Sequence, residues 1–288
     1  MNACEADVKE ERKLRRVDAH HHLWKYDAAE FGWLTGELAT LRRDFTSADL
    51  LHEMDAAGVS AAIAVQARES LEETDFLLHM ASLYSQIAGV VGWLPIASKG
   101  FPALLETYAA QGGLRGLRHV VQAEAAGFLD EPGFNRGIAD MRKHGLVYDI
   151  LILEHQLPEA IRFVDRHPEQ MFVVDHLAKP RIAEGLLQPW EVWMRDLARR
   201  PNVSCKLSGL VTEAAAAWTP AELELYLNVA LEAFHPSRLM AGSDWPVLTP
   251  RCSYSAWWQL LDRWAQPLSE DERQDIFCGT ATRVYQLF

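Results

Sequence analysis

Short apolar runs alternate with amphipathic stretches along most of the chain. The apolar runs predict strands at residues 16–24, 61–67, 90–96, 114–121, 147–153, 171–177, 203–207 and 239–243. The stretches between them carry apolar residues at helical spacing and predict helices at residues 48–57, 74–85, 102–111, 132–143, 157–166, 189–199 and 220–234. Strand and helix alternate in this way in a (β/α)8 barrel.

The predicted fold is therefore α/β, a single (β/α)8 TIM barrel. A chain of 288 residues is normal for such a barrel, and 49% hydrophobic residues are enough to fill its core. A doubly wound parallel sheet is the competing fold, but no glycine-rich fingerprint follows the first predicted strand. We expect residues 1–15 to form a polar N-terminal tail and residues 16–288 to form one catalytic barrel domain.

Charge and composition exclude several classes of function. A net charge of −12 argues against nucleic-acid binding, which usually needs a basic patch. The first 16 residues contain no apolar signal-peptide core, and no run approaches the roughly 20 apolar residues of a membrane span. The four cysteines show no C-x-x-C pairing, which favours reduced thiols over a disulfide framework or a four-thiolate zinc site. We expect a cytoplasmic protein with no membrane or nucleic-acid partner.

The most informative motif ends the first predicted strand: Asp18-Ala19-His20-His21-His22-Leu23-Trp24. Side chains two residues apart share one face of a strand, so His20 and His22 converge on one point, whereas His21 faces the surrounding helices. His176 ends the sixth predicted strand, and Asp244 ends the eighth. Because the eighth strand of a closed barrel pairs with the first, we expect these side chains to share one site at the C-terminal rim.

Three imidazoles and one carboxylate around a single cavity suit two kinds of chemistry. The set suits zinc or a related divalent ion, which lowers the pKa of bound water to roughly 7. It also suits hydrolysis without a metal, in which Asp244 is the general base and the histidines polarise a carbonyl group. The residues alone leave both open.

Further residues are candidates for contact with a substrate. Alternation in the seventh predicted strand points Lys206 into the barrel, where it binds a substrate oxygen or pairs with an internal acid. Arg118, near the end of the fourth strand, has the same two roles open to it. Trp24 and Trp245 directly follow the proposed chemistry and are candidates for an aromatic wall against a sugar ring. Residues 25–44 form a long connection, which predicts either a lid or an ordered surface excursion.

Several motifs, in chain order, resemble those of the lactonase branch of the amidohydrolase superfamily, within the amidohydrolase-2 group. They are Asp18-Ala19-His20-x-His22-Leu23-Trp24, Val174-Asp175-His176-Leu177-Ala178-Lys179-Pro180, Lys206-Leu207-Ser208-Gly209-Leu210, Gly242-Ser243-Asp244-Trp245-Pro246 and Gly279-Thr280-Ala281-x-Arg283-x-Tyr285. The similarity runs over nearly the whole chain from Arg16 onward. It implies an amidohydrolase-type barrel that hydrolyses a cyclic ester, with Asp244 activating water.

The resemblance also bears on the metal content. Superfamily members with two metals use a lysine or glutamate of the fourth strand and a histidine of the fifth. This chain offers Arg118 and the run from Tyr148 to Leu151 at those places, so a binuclear centre is not expected. Two arrangements remain open: catalysis without a metal, or one divalent ion, zinc first, on His20, His22 and Asp244, with or without His176.

The expected substrate is a small-molecule sugar lactone. The resemblance implies opening of an aldonolactone of the L-fucono-1,5-lactone kind to the sugar acid. A dicarboxylated pyrone is less suitable, because it would need several clustered arginines and only Arg118 can be placed at the pocket. One alternative is a metal-dependent decarboxylase of an aromatic or unsaturated acid on the same barrel. Another is a sugar-acid binding protein without catalysis. The sequence does not predict an oligomeric state.

Overall fold

A computed structural model describes residues 15–288 of the chain; except for Arg15, the expected N-terminal tail lies outside the described residues. Eight strands pair in parallel in the order β1 to β8. They are β1 Val17–His21, β2 Ala61–Val65, β3 Ile87–Gly92, β4 Leu114–His119, β5 Val147–Ile150, β6 Phe172–Val174, β7 Val203–Leu207 and β8 Leu239–Ala241. The sheet closes on itself through two backbone hydrogen bonds between the ends of its first and last strands. The amide of His22 donates to the carbonyl of Trp245 at 2.7 Å, and the amide of Asp244 donates to the carbonyl of His20 at 2.8 Å. The predicted (β/α)8 barrel is confirmed.

The helices surround this barrel. They are α1 Ser47–Ala57, α2 Leu71–Leu83, α3 Phe101–Ala110, α4 Pro132–Met141, α5 Leu157–Arg166, α6 Trp190–Leu197, α7 Leu210–Glu213, α8 Pro220–Phe234, α9 Tyr254–Trp264, α10 Glu270–Gln274 and α11 Thr280–Val284. Capping explains several boundaries. Thr46 and Asp49 form a capping box at the start of α1, and Gly58 ends that helix in the left-handed conformation. Within residues 15–288, no helix combines the length and the apolar composition of a membrane span.

The structure differs from the predicted elements in several places: β3 begins three residues earlier than predicted, most strands end earlier, and α7 has no predicted counterpart. Strands β6 and β8 are shorter than predicted, because the backbone turns away from the sheet at Asp175 and after Ala241. The sequence analysis predicts no helix after residue 234, where the structure has α9, α10 and α11. The shortening of β6 and β8 lies beside functional residues, since the two early turns carry His176 and Asp244.

A β-bulge in β1 sets the direction of the first motif. The register with β2 pairs Asp18 with Ala62 and His21 with Ala64, so β1 uses one residue more than β2 over this interval. Asp18 bonds to Tyr254 of α9, outside the barrel, whereas His20 contacts residues of the barrel interior. The bulge therefore lets the strand hold a carboxylate against the helix layer and two histidines toward the cavity.

Two layers fill the barrel below the site. The lower layer is apolar and combines strand residues such as Val17, Val91 and Met240 with Tyr285 and Leu287 of the C-terminal segment. The layer above it is ionic, and its members are Arg118, Asp149, Asp175 and Lys206, each at most 3% exposed. The cysteines within the described residues, Cys205, Cys252 and Cys278, are buried free thiols, and Cys4 lies outside those residues.

Candidate active site

The structure brings His20, His22, His176 and Asp244 together at the C-terminal ends of the strands, as the sequence predicts. One carboxylate oxygen of Asp244 lies 3.7 Å from His20 Nε2, 3.3 Å from His22 Nε2 and 3.9 Å from His176 Nε2. The Nε2 atoms of His20 and His22 are 3.3 Å apart. All four residues are at most 5% exposed, so the cluster forms the floor of a cavity rather than a surface patch.

Hydrogen bonds at the far side of each ring fix the orientation of two imidazoles. His22 donates from Nδ1 to the carbonyl of Val65 at 2.8 Å, which turns its Nε2 toward Asp244. His176 Nδ1 lies 2.9 Å from Ser208 Oγ. Gly209 packs against the same ring, since a Cβ there would lie only 2.4 Å from Nδ1. The side chains are therefore held in place before any ligand binds.

An unusual backbone turn carries His176 into the cavity. His176, Leu177, Ala178 and Lys179 have φ values of 53°, 51°, 56° and 50°, a run of four left-handed residues without glycine. Each such residue costs roughly 1–2 kcal/mol relative to the right-handed form. Trp190 opposes this cost with a buried hydrogen bond of 2.6 Å from its indole to the Leu177 carbonyl. Strain of this kind is typical of functional sites.

Asp18 holds the turn that carries Asp244. Its carboxylate accepts hydrogen bonds from the Ser243 amide at 2.8 Å, the Ser243 hydroxyl at 2.6 Å and the Tyr254 hydroxyl at 3.0 Å. Burial raises the pKa of Asp18 to about 6 despite these bonds. The next residue in the turn, Asp244, has φ 61°, and the Asp18 contacts maintain that conformation from behind.

The electrostatics of the cluster favour an ionised Asp244 carboxylate and neutral His20 and His176. Burial on its own raises the pKa of Asp244, but His176 and His22 more than offset this, and the pKa lies below its usual value. Burial lowers the pKa of His176 to about 4 and that of His20 well below its usual value. At neutral pH, Asp244 is therefore available to accept a proton, as a general base must be.

The ionic layer lies directly beneath His20. Lys206 Nζ is 2.5 Å from Asp149, 3.0 Å from Asp175 and 3.3 Å from His20 Nδ1. Arg118 pairs with Asp175 at 2.9 Å and also reaches His20 Nε2 at 3.4 Å. Burial works against ionisation of Asp175, but Lys206 and His20 dominate and hold its pKa well below its usual value.

These contacts separate the two predicted substrate-binding cations. Arg118 lines the cavity floor. Lys206 points into the barrel as predicted, but its side chain is fully buried and its ammonium pairs with internal acids. Of the two roles that the sequence leaves open for Lys206, the structure has the internal ion pair.

The donor set fits one divalent ion. A tetrahedral zinc site with ligand distances near 2.0–2.1 Å places its ligand atoms about 3.3–3.4 Å apart. The ligating atoms of His20, His176 and Asp244 lie within 4.8 Å of one another, and His22 adds a fourth atom 3.3 Å from the carboxylate. The backbone carbonyl behind His22 and the hydroxyl behind His176 are outer partners of the kind that metal-ligating histidines have.

The cavity above the cluster has a volume of about 890 Å³, enough for a sugar-sized ligand. The connection 25–44 forms one wall of it, through Glu30, Trp33, Glu37 and Leu38. Two ion pairs fasten this connection to opposite sides of the rim. Glu30 bonds to Arg68 at 2.5 Å, and Glu37 bonds to Arg251. The connection therefore covers part of the site, and its two ion pairs are compatible with both a lid and an ordered surface excursion.

The two predicted aromatic residues lie behind the cavity wall. Trp24 and Trp245 are each 2% exposed, and each packs edge-to-face with Phe45, with ring centroids 5.3 Å apart. Neither is among the residues that line the cavity. The aromatic surface that faces the cavity comes instead from Trp33, which is 39% exposed. Both indoles are buried among other aromatic rings, Phe45 among them, and their adjacency to His22 and Asp244 in the sequence does not reveal this packing.

Other lining residues received no role from the sequence. Lys179 and Glu213 form one side of the cavity, next to His176, and Glu69 lies on the side of β2 and β4. His119 contacts Glu69 at 3.0 Å and Glu124 at 2.8 Å, and these carboxylates outweigh burial and raise its pKa. The sequence could have indicated Lys179 as a site residue, because it belongs to the same motif as His176. No such indication existed for Glu213, which follows β7 by several residues.

Comparison with known proteins places the chain among relatives with this architecture. An L-fucono-1,5-lactonase of Burkholderia multivorans is 43% identical, over 94% of this chain and 96% of that enzyme. An L-fucono-1,5-lactonase of Burkholderia ambifaria is 37% identical over the same shares. A crystal structure of an amidohydrolase from Burkholderia multivorans with bound zinc has a TM-score of 0.91 and 41% identity, and covers 95% of this chain and 100% of that chain.

The family assignment rests on the length of the match as well as on these relatives. The sequence profile of the amidohydrolase family matches residues 17–287, from the first strand of the barrel to the C-terminal segment. All of the site residues described above fall within that range. The chain belongs to the amidohydrolase family.

Proposed function

We propose that the chain is a carboxylic ester hydrolase that opens a sugar lactone, an aldonolactone of the L-fucono-1,5-lactone kind, to the sugar acid. The observation that carries the proposal is the ionised Asp244 carboxylate, held 3.3–3.9 Å from three imidazoles at the floor of the cavity. The likeness to two L-fucono-1,5-lactonases over most of the chain supports this substrate class.

The proposed reaction needs one base and one polarised carbonyl. The lactone carbonyl lies against the imidazoles of His20, His22 and His176, with a water molecule beside Asp244. As the water oxygen bonds to the carbonyl carbon, its proton passes to the Asp244 carboxylate. The bond from the carbonyl carbon to the ring oxygen then breaks, and Asp244 returns the proton to that oxygen. The product is an open-chain hydroxy acid, which ionises at neutral pH and releases one proton.

The remaining site residues position the substrate. Arg118 lines the floor and, because Asp175 and His20 hold it, presents a fixed guanidinium toward the reacting carbonyl. Lys206 acts from beneath by holding the two buried carboxylates under His20. Trp33 supplies the apolar face against which a sugar ring packs.

The metal requirement is part of the proposal. We place a single divalent ion, zinc first, on His20, His22 and Asp244, with or without His176. Such an ion supplies Lewis-acid polarisation of the carbonyl. Without it, the imidazole groups provide weaker polarisation, which a lactone tolerates because it is more reactive than an amide.

The rival functions make different predictions. A decarboxylase on the same barrel would release carbon dioxide and no acid from a lactone. A binding protein without catalysis would gain thermal stability from a ligand but form no product. Neither rival is favoured, because the relatives at 43% and 37% identity are both lactonases.

A pH-indicator assay tests the proposal directly. Chelator-treated protein is incubated with a panel of aldonolactones that includes L-fucono-1,5-lactone, with and without added zinc or manganese. We expect acid release, and Asp244→Asn to reduce kcat at least tenfold while the protein stays folded. Acid release only after metal addition would assign the histidines as ligands. Retention of more than about a tenth of the activity in the variant would remove Asp244 as the base.

A further inference from the structure

Lys179 and Glu213 face each other across one side of the cavity. The Lys179 ammonium lies 3.8 Å from a Glu213 carboxylate oxygen, which is too long for a hydrogen bond. Both side chains are only partly buried, at 20% and 26% exposure. Within residues 15–288, neither charged group makes a side-chain hydrogen bond to protein. Both therefore retain hydrogen-bonding capacity that is directed at whatever fills the cavity.

The other cations of the cavity wall are already engaged. Arg68 bonds to Glu73 at 2.7 Å, Arg118 bonds to Asp175 at 2.9 Å, and Arg251 bonds to Glu37 and a backbone carbonyl. These bonds hold the wall together. Among the described residues that line the cavity, the Lys179 and Glu213 pair differs from these cations in leaving its donor and its acceptor uncommitted.

The pair also lies close to the reacting centre. Lys179 is the last residue of the left-handed turn that begins at His176, and Glu213 ends α7, which follows the Gly209 contact with His176. Burial raises the pKa of Asp244, and the charge of Lys179 adds to the effects of His176 and His22 in lowering it. Asp244 in turn helps to raise the pKa of Glu213, after burial. A group held between Lys179 and Glu213 therefore lies close to the lactone carbonyl, which is attacked by the water molecule that Asp244 activates.

We propose that Lys179 and Glu213 bind the hydroxyl group on the carbon next to the lactone carbonyl. The inference rests on the proposed function and adds the residues that recognise the hydroxyl. A hydroxyl both accepts and donates hydrogen bonds, so it can accept from the ammonium and donate to the carboxylate at once. Two hydrogen bonds that share one oxygen span roughly 4.5 Å, and a small rotation of the flexible lysine opens the pair to that distance.

The recognition has a consequence for specificity. A lactone without this hydroxyl leaves the partly buried ammonium and carboxylate without the two hydrogen bonds that the hydroxyl supplies, which carries a larger penalty than the loss of one neutral contact. The enzyme should therefore discriminate against 2-deoxy lactones. Replacing Lys179 should remove that discrimination rather than lower all activity equally.

The test compares two substrates in four proteins. The substrates are an aldono-1,5-lactone that the unaltered protein hydrolyses and its 2-deoxy analogue. The proteins are the unaltered chain, Lys179→Met, Glu213→Gln and the control Lys143→Met. Lys143 is 71% exposed and precedes β5, at the opposite end of the barrel. Thermal unfolding of each protein establishes that it is folded, and kcat and KM are measured separately.

We expect Lys179→Met and Glu213→Gln each to lower kcat/KM for the hydroxylated lactone about 10- to 100-fold relative to the unaltered protein. For the 2-deoxy analogue, each variant should lower kcat/KM less than about threefold relative to the unaltered protein. The control should behave like the unaltered protein. Equal losses on both substrates, or no loss on either, would overturn the inference and leave the proposed function standing. Hydrolysis of no lactone by the unaltered protein would overturn both. If Lys179→Met does not fold, Glu213→Gln decides by the same comparison.

Discussion

Substitution of Gly209 tests whether the position of the His176 ring controls catalysis. The φ of Gly209 is +69°, and a Cβ at this position would lie 2.4 Å from His176 Nδ1 and 2.7 Å from Cγ. Carbon atoms pack at about 3.5–4.0 Å, so Gly209→Ala must displace the imidazole by roughly 1 Å. That shift disrupts the 2.9 Å contact between His176 and Ser208.

Two effects of the substitution can be separated. The left-handed backbone alone costs roughly 1–2 kcal/mol for alanine, which lowers Tm by about 2–4 °C per kcal/mol in a domain of this class. The displaced imidazole adds a catalytic loss, because a misplacement of about 1 Å can cost 10²-fold in rate. We therefore expect Gly209→Ala to lower kcat/KM about 100-fold as well as the free energy of unfolding.

Gly185→Ala is the matched control. Gly185 has φ +66°, and a Cβ added there would have no atom within 4 Å, so it carries the backbone cost without the clash. Lactone hydrolysis and thermal unfolding are measured for both variants. Both should lose stability, and only Gly209→Ala should lose activity. Equal kcat/KM values for the two variants would refute the argument that Gly209 positions His176.

Three further predictions follow from contacts of the site. Lys206→Met leaves Asp149 unpaired and should destabilise the fold by about 3–5 kcal/mol in denaturant unfolding, with partial recovery when Asp149→Asn is added; an unchanged midpoint would contradict the internal ion pair. Because burial lowers the pKa of His176 to about 4, kcat/KM should fall on the acid side near pH 4 rather than near 6.5. The unfolded chain binds the His176 proton between these values and the folded one does not, so unfolding free energy should also decline as the pH falls from about 6.5 to about 4. Because Glu37→Gln removes the ion pair with Arg251, it should raise KM up to about fivefold with kcat unchanged. The control Glu106→Gln, on the outer surface of α3, should change neither constant. A change in kcat alone would argue against a lid role.

Local periodicity was sufficient for the core of the site. The spacing of His20 and His22 predicts one shared face, and both side chains reach the cavity. The bulge in β1 sends Asp18, at the same spacing from His20, to the helix layer instead. The strand-end positions of His176 and Asp244 follow from the barrel itself. The alternation of β7 likewise points Lys206 inward. These are short-range properties, so the sequence contains them.

Long-range packing explains what the sequence did not predict. The partners of Lys206 come from β5 and the end of β6, and nothing in its own strand identifies them. Phe45 packs against Trp24 and Trp245 only because the chain returns to them after the connection 25–44. The left-handed run that begins at His176 consists of residues that rarely adopt that conformation, so their conformational preferences do not predict it.

The closure of the barrel has a consequence for the timing of activity during synthesis. Asp244 reaches the histidines of β1 from the end of β8, and the Tyr285 hydroxyl bonds to Asp149 at 2.8 Å beneath them. A ribosome must therefore make nearly the whole barrel before the base meets the imidazoles. Until then, the nascent chain carries the histidines without the carboxylate that completes the site. Catalytic competence should appear abruptly, at the end of translation, rather than grow as successive β/α units emerge.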